Sequence, residues 1–141
     1  MFKRKVFVSF DFDRDRNYYY MLKAWNENPS IEFSIIDRTP AEIQSASVGV
    51  VKQVLSRKIN EADLTLAIIG SDINAPHPDR WSIGCVNWQN YEIEKSLEVG
   101  KRVVGVRLDW RFKLPQAMER TGCRVADGFE LDKILALLRK S

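Results

Sequence analysis

Two hydrophobic periodicities alternate along this chain. Residues 5–10 (KVFVSF) form a run of β-branched and aromatic side chains, which predicts a buried strand. Residues 11–15 follow as an acidic turn. Asp15 or Asn17 then caps a helix running to Trp25, with Tyr18, Met21, Leu22 and Trp25 on its apolar face. Residues 26–30 close that helix, and residues 31–36 predict a second strand. A polar loop over residues 37–46 contains Pro40. Ile43 and the stretch 48–59 predict a second helix resting on Val51, Val54, Leu55 and Ile59. Residues 63–69 (DLTLAII) have the unbroken apolar character of a central strand.

The second half repeats the alternation. A long loop over residues 70–84 carries Pro76 and Pro78, and a helix is predicted from Asn87 to Val99, stopped by Gly100. Residues 102–108 predict a fourth strand, residues 109–121 a loop with room for a helical turn, and residues 123–126 a short fifth strand. Residues 129–140 predict a last helix resting on Leu131, Ile134, Leu135 and Leu138. Strands alternating with helices imply an α/β protein with a parallel sheet covered on both faces. Five strands in 141 residues suggest a flavodoxin-like three-layer sandwich, one domain over residues 1–141. Ligands in such folds sit beyond the carboxyl ends of the strands, here at Phe10-Asp11, Ile36-Asp37, Gly70-Ser71 and Leu108-Asp109.

Composition narrows the partners. The chain is 45% apolar and 29% charged, ordinary for a soluble domain. No run reaches the roughly 18 apolar residues of a membrane span. The basic start at Lys3, Arg4 and Lys5 precedes an apolar run that ends at Phe10, too short for a secretory signal. The net charge is +3, with basic residues scattered among acids, which argues against nucleic acid as a partner. Cys85 and Cys123 are far apart and the chain has one histidine, so a Cys2His2 metal site is excluded. The cysteines read as buried free thiols of a reducing cytoplasm. His77, between two prolines, reads as a surface histidine, with a ligand contact as the alternative.

Three patterns bear on chemistry. Asp11, Asp13 and Asp15 after the first strand resemble the Mg²⁺-holding acids of receiver domains. The aspartate closing strand three and the lysine closing strand five are not matched, however: Asp72 lies past strand three, and no lysine follows strand five before Lys133. Asp11 reads equally as a helix cap or a ligand-facing residue. No glycine-rich phosphate cradle, neither GxGxxG nor a Walker motif, follows any strand. Trp88 and Glu92, four residues apart, share one face of the helix that begins at about Asn87. An aromatic wall beside a lone carboxylate suits a flat, positively charged group such as a nicotinamide ring. The same spacing also fits a core tryptophan followed by a solvated acid. Glu94 is the rival acid, but two residues along a helix it points roughly 200° away.

The chain resembles the TIR-like domains of the bacterial Thoeris antiphage defence type. The strand ending Val6-Phe7-Val8-Ser9-Phe10-Asp11 is similar to the opening strand of that family, and Ile68-Ile69-Gly70-Ser71 to the end of its third strand. Trp88-Gln89-Asn90-Tyr91-Glu92-Ile93, then Gly100-Lys101-Arg102-Val103-Val104, is similar to its W-x-x-x-E-I segment and fourth strand. The resemblance implies an enzyme that cleaves NAD⁺ as a substrate, with no cofactor and no metal, making a linear or cyclic ADP-ribose signal for a separate effector. It implies Glu92 as the catalytic acid, Phe10 and Trp88 against the nicotinamide ring, and Asp11 and Ser71 on ribose or carboxamide groups. It also implies self-association through TIR–TIR contacts; the 37–46 loop corresponds to the segment that often mediates assembly in the family, but has no recognisable partner-binding signature. The alternative reading is a non-catalytic protein-interaction or nucleotide-binding module.

Overall fold

The third strand organises the sheet because all of its side chains are buried. In the computed structural model, which describes residues 3–37 and 47–139, β3 (Leu64–Ile69) is covered along its whole length. It lies in the middle of an all-parallel, five-stranded sheet with β1 (Arg4–Ser9), β2 (Phe33–Ile35), β4 (Arg102–Arg107) and β5 (Arg124–Asp127) in the order β2-β1-β3-β4-β5. Val8 pairs with Leu66, and Leu66 with Val104.

Alternation along the strands sends side chains into two helical layers. Val6, Val8, Leu66, Ile68, Val104 and Val106 share a core with Leu22 of α1 (Phe12–Asn26) and Ile134 of α5 (Leu131–Arg139). On the opposite face, Phe7 packs against Val51, Leu55 and Ile59 of α2 (Val48–Glu61). Ala67, Ile69 and Val103 pack there against Ile93 of α4 (Trp88–Glu98). This is the three-layer α/β sandwich expected from the sequence. Among the described residues, no helix is long and apolar enough to cross a membrane.

Several details differ from the sequence reading. The first helix begins at Phe12, not at Asp15 or Asn17: the side chain of Asp11 accepts bonds from the backbone N–H groups of Asp13 and Arg14. The acidic run is therefore the first helical turn, where carboxylates favour the positive end of the helix. The 70–84 loop contains a one-turn helix, α3 (Arg80–Ile83), ended by Gly84 at φ 85°. Residues 109–121 hold a 3₁₀ turn at Gln116–Met118. Both cysteines are free but only half-buried. Ile43 and the loop read as an assembly segment lie outside the described residues, apart from Asp37.

The edge of the sheet away from the strand carboxyl ends anchors α5. Arg102 Nη1 donates to Leu137 O and Nη2 to Leu138 O, each at 2.9 Å, and Arg4 Nη1 donates to Leu138 O at the same distance. Two guanidinium groups thus satisfy carbonyls that the helix end leaves without intrahelical donors. We expect Arg102→Met to lower stability by about 1–3 kcal/mol, read as a shift in the urea midpoint, because the aliphatic stem remains while charged hydrogen bonds are lost. An unchanged midpoint would show that the clamp contributes nothing.

Candidate active site

Parallel strands in the order 2-1-3-4-5 open a crevice beyond the carboxyl ends of β1 and β3, where the chain connections diverge. A cleft of about 530 Å³ lies there, walled by Phe10 and Asp11 after β1, Asp72 after β3, His77 in the following loop, and Trp88 and Glu92 on α4.

Glu92 is the carboxylate at the base of this wall. It is 1% exposed, and the Ser9 hydroxyl donates to its Oε1 at 2.7 Å. Period two places Ser9 on the same sheet face as Phe7, the face that α4 covers. The stripe of α4 that meets the sheet contains Gln89, Glu92, Ile93 and Ser96, at the i, i+3, i+4, i+7 spacing of one helical face. Three of these four are polar, and each is matched. Gln89 Nε2 donates to Ser9 O at 3.1 Å and Ile68 O at 2.6 Å. The Ser96 hydroxyl lies 2.7 Å from Thr65 Oγ1. A polar seam thus fixes α4 to the ends of β1 and β3 and holds Glu92 in one place.

Three asparagines set the loop that forms the far wall. The Asn87 side chain caps α4 through Asn90 N, while its Nδ2 donates to Ile73 O and Ala75 O. Asn90 Nδ2 also donates to Ile73 O, and its Oδ1 accepts from Ala117 N at 2.8 Å. Asn74 Oδ1 accepts from Gln116 N at 2.9 Å. Loop, helix and 3₁₀ turn are thereby joined, and residues 75–79 stand opposite α4.

Of the residues singled out in the sequence, Phe10, Asp11, Trp88 and Glu92 meet in this cleft. Phe10 is buried and stacks on Tyr19, with ring centroids 4.6 Å apart. Trp88 is half-buried and meets Tyr91 edge-on. Asp11 caps α1 and also lines the cleft. Ser71 does not reach the wall: it is exposed in the turn after β3, and Asp72 takes the position facing the cleft. Glu94 is exposed and accepts the Cys85 thiol at 3.3 Å, on the side away from Glu92. Burial, with Glu94 beside it, pushes that thiol up to about 11. His77 is not a detached surface residue, because the loop turns its ring toward Trp88 in the wall. The sequence reading missed Ser9, Gln89, Asn87 and Asn90. The polar residues at i, i+3 and i+7 of α4 were the available signal. Among the described residues, no group of three or more His, Cys, Asp or Glu side chains is placed to hold a metal ion.

Behind the cleft lies a second carboxylate. Asp15 is buried in the first turn of α1 against Gly70, where an added Cβ would collide with its Oδ2. Burial, then Asp11, raises its pKa from 3.8 to about 6, with Asp72 adding to the effect and Arg14 opposing it. The folded protein therefore holds this proton more tightly than the unfolded chain. Stability declines as pH rises between 3.8 and about 6, and the cost of ionisation is fully present above that window. We expect Asp15→Asn to stabilise the protein at pH 7 by about 1–2 kcal/mol and to flatten the decline across that window. Thermal melts at pH 4, 5, 6 and 7 check this; a variant less stable at pH 7 would contradict it.

Comparisons with known proteins bear on the fold and the family. No curated protein matches the chain by sequence. Among solved structures, a prokaryotic SEFIR domain superposes with a TM-score of 0.59 at 15% identity, over 98% of this chain and 100% of that one. A 2-desoxiribosyltransferase from Leishmania mexicana superposes with a TM-score of 0.61 at 12% identity, over 98% of this chain and 99% of that one. At such identities the likeness is one of fold. The family model described as Thoeris protein ThsB, TIR-like domain, matches residues 7–112. That span runs from β1 through β4 and includes Phe10, Asp11, Trp88 and Glu92. The chain therefore belongs to the ThsB TIR-like domain family of Thoeris proteins.

Proposed function

We propose that this TIR-like protein cleaves NAD⁺ at the bond between nicotinamide and ribose, with Glu92 as the catalytic carboxylate. The observation that carries this reading is the Glu92 carboxylate, buried and positioned by Ser9, at the base of a cleft with aromatic walls. The charge of the wall supports it. Asp11, Asp13, Asp72, Asp79 and Glu92 face the cleft, with Arg14 paired to Asp72. Such a wall favours the cationic nicotinamide–ribose half of NAD⁺ over its diphosphate. Phe10 and Trp88 supply π surfaces for the pyridinium ring.

In the proposed reaction the C1′–N bond breaks and its electron pair leaves with nicotinamide, which departs neutral. No proton need be delivered to the leaving group. The ribose passes through an oxocarbenium-like state, as in glycoside cleavage, and the Glu92 carboxylate stabilises the positive charge developing there. Ser9 acts through Glu92 as a positioning residue, and its hydroxyl fixes which way the carboxylate faces. Attack on C1′ by water, which gives up one proton to solvent, yields ADP-ribose; attack by a nucleophile within the substrate, again with loss of a proton to solvent, yields a cyclic isomer. Either product would serve as a signal to a separate effector, and the enzyme would act in the cytoplasm, self-associating through TIR–TIR contacts.

The test is nicotinamide release from NAD⁺ by concentrated protein, with products separated by chromatography. We expect Glu92→Gln to lower release by about 100-fold or more while the melting curve stays near wild type, since glutamine still accepts from Ser9. Full turnover by Glu92→Gln would sink the assignment. Release by neither protein, including in a phage-infected lysate, would favour a non-catalytic interaction module. Ser9→Ala should cost less, about tenfold in kcat, because water can replace the lost donor.

A further inference from the structure

His77 is held at three points. Its N–H donates to Val86 O at 2.8 Å, its carbonyl accepts from Arg80 N at 3.1 Å and from Arg80 Nη1 at 3.2 Å, and its ring Nδ1 accepts from Asp79 N at 2.9 Å. A neutral imidazole that accepts at Nδ1 carries its proton on Nε2. Among the described residues that Nε2–H has no hydrogen-bond partner, and the ring forms part of the cleft wall. Of the other side-chain donors of the described wall, the amides are spent and the Trp88 indole N–H is the one left. Asn87 Nδ2 serves Ile73 O and Ala75 O, and Gln89 Nε2 serves Ser9 O and Ile68 O.

The remaining question is which acceptor this donor meets. A phosphate oxygen would have to enter beside Asp79, which sits next to the His77 ring and repels it. An uncharged carbonyl oxygen carries no such cost. The His77 and Trp88 rings stand 6.4 Å apart between centroids and nearly perpendicular at 73°. A substituent on a flat ring seated against Trp88 is thus within reach of the imidazole. Building on the NAD⁺ reading above, we propose that His77 is a specificity-determining residue whose Nε2–H donates to the carboxamide oxygen of the nicotinamide ring.

The chain has one histidine, so its imidazole ¹⁵N signals need no assignment. Glu92→Gln protein, in which turnover is suppressed, is titrated with NAD⁺ and with pyridine adenine dinucleotide, which lacks the carboxamide. We expect the Nε2–H tautomer in the free protein, and an Nε2 shift with NAD⁺ but not with the pyridine analogue. In turnover assays on a wild-type Glu92 background, His77→Asn should raise KM for NAD⁺ by about tenfold and leave kinetics with the pyridine analogue unchanged. Asparagine retains an acceptor for Asp79 N, so a purely structural role would be rescued by it. His77→Gln, which extends an amide N–H toward the Nε2 position, should recover part of the loss. An Nδ1–H tautomer overturns the proposal. So does an Nε2 signal that stays still while NAD⁺ shifts the amide signals of Trp88 and Gln89, although the NAD⁺ reading then survives. If millimolar NAD⁺ moves no signal and wild-type protein releases no nicotinamide, both fall together.

Discussion

Burying the Glu92 carboxylate between the sheet and α4 is the constraint around which this end of the molecule is built. A carboxylate at 1% exposure costs several kcal/mol in solvation unless it finds partners. Ser9 meets that cost in part, and its position follows from strand geometry, since it is the last residue of β1 on the face that α4 covers. The rest of the seam keeps the pair in register. Gln89 spans the ends of β1 and β3 through two backbone carbonyls, and Ser96 meets Thr65 one turn beyond Glu92. An apolar stripe on α4 would pack more cheaply. The polar stripe fixes one orientation, because sliding the helix would strand several buried donors and acceptors together.

The same geometry opens the cleft. The parallel order 2-1-3-4-5 makes the chains leaving β1 and β3 diverge, so α1 departs on one side and the 70–84 loop on the other. Asparagines at 74, 87 and 90 then tie the loop to α4. Among the described residues, the wall that results is rich in carboxylates and aromatic rings in a chain whose net charge is +3. Local placement, not overall charge, therefore sets what the cleft attracts. Asp15 shows the cost of burying an acid here, for burial first, and then Asp11 and Asp72 nearby, raise its pKa to about 6.

The layered fold was legible because apolar runs of strand length alternate with helical periodicities, and burial enforces those patterns over most of the chain. Where boundaries moved, local capping decided. The acids at 11, 13 and 15 read as a turn, yet Asp11 turns them into the start of α1. Glu92 and Trp88 were legible as a pair through helical spacing. Ser9, Gln89 and Asn90 were not, since hydrophobic patterning has no means of marking a polar residue as buried.

By itself the sequence determined the alternating strands and helices, the shared face of Trp88 and Glu92, and the family to which both belong. The tertiary structure decided which distant residues complete the site. It set Ser9 against Glu92 across 83 positions, replaced Ser71 with Asp72 at the rim, and turned His77 inward. Those outcomes rest on strand order and on loop hydrogen bonds between residues far apart in the chain. No local pattern encodes either, because such contacts form only when the sheet has assembled.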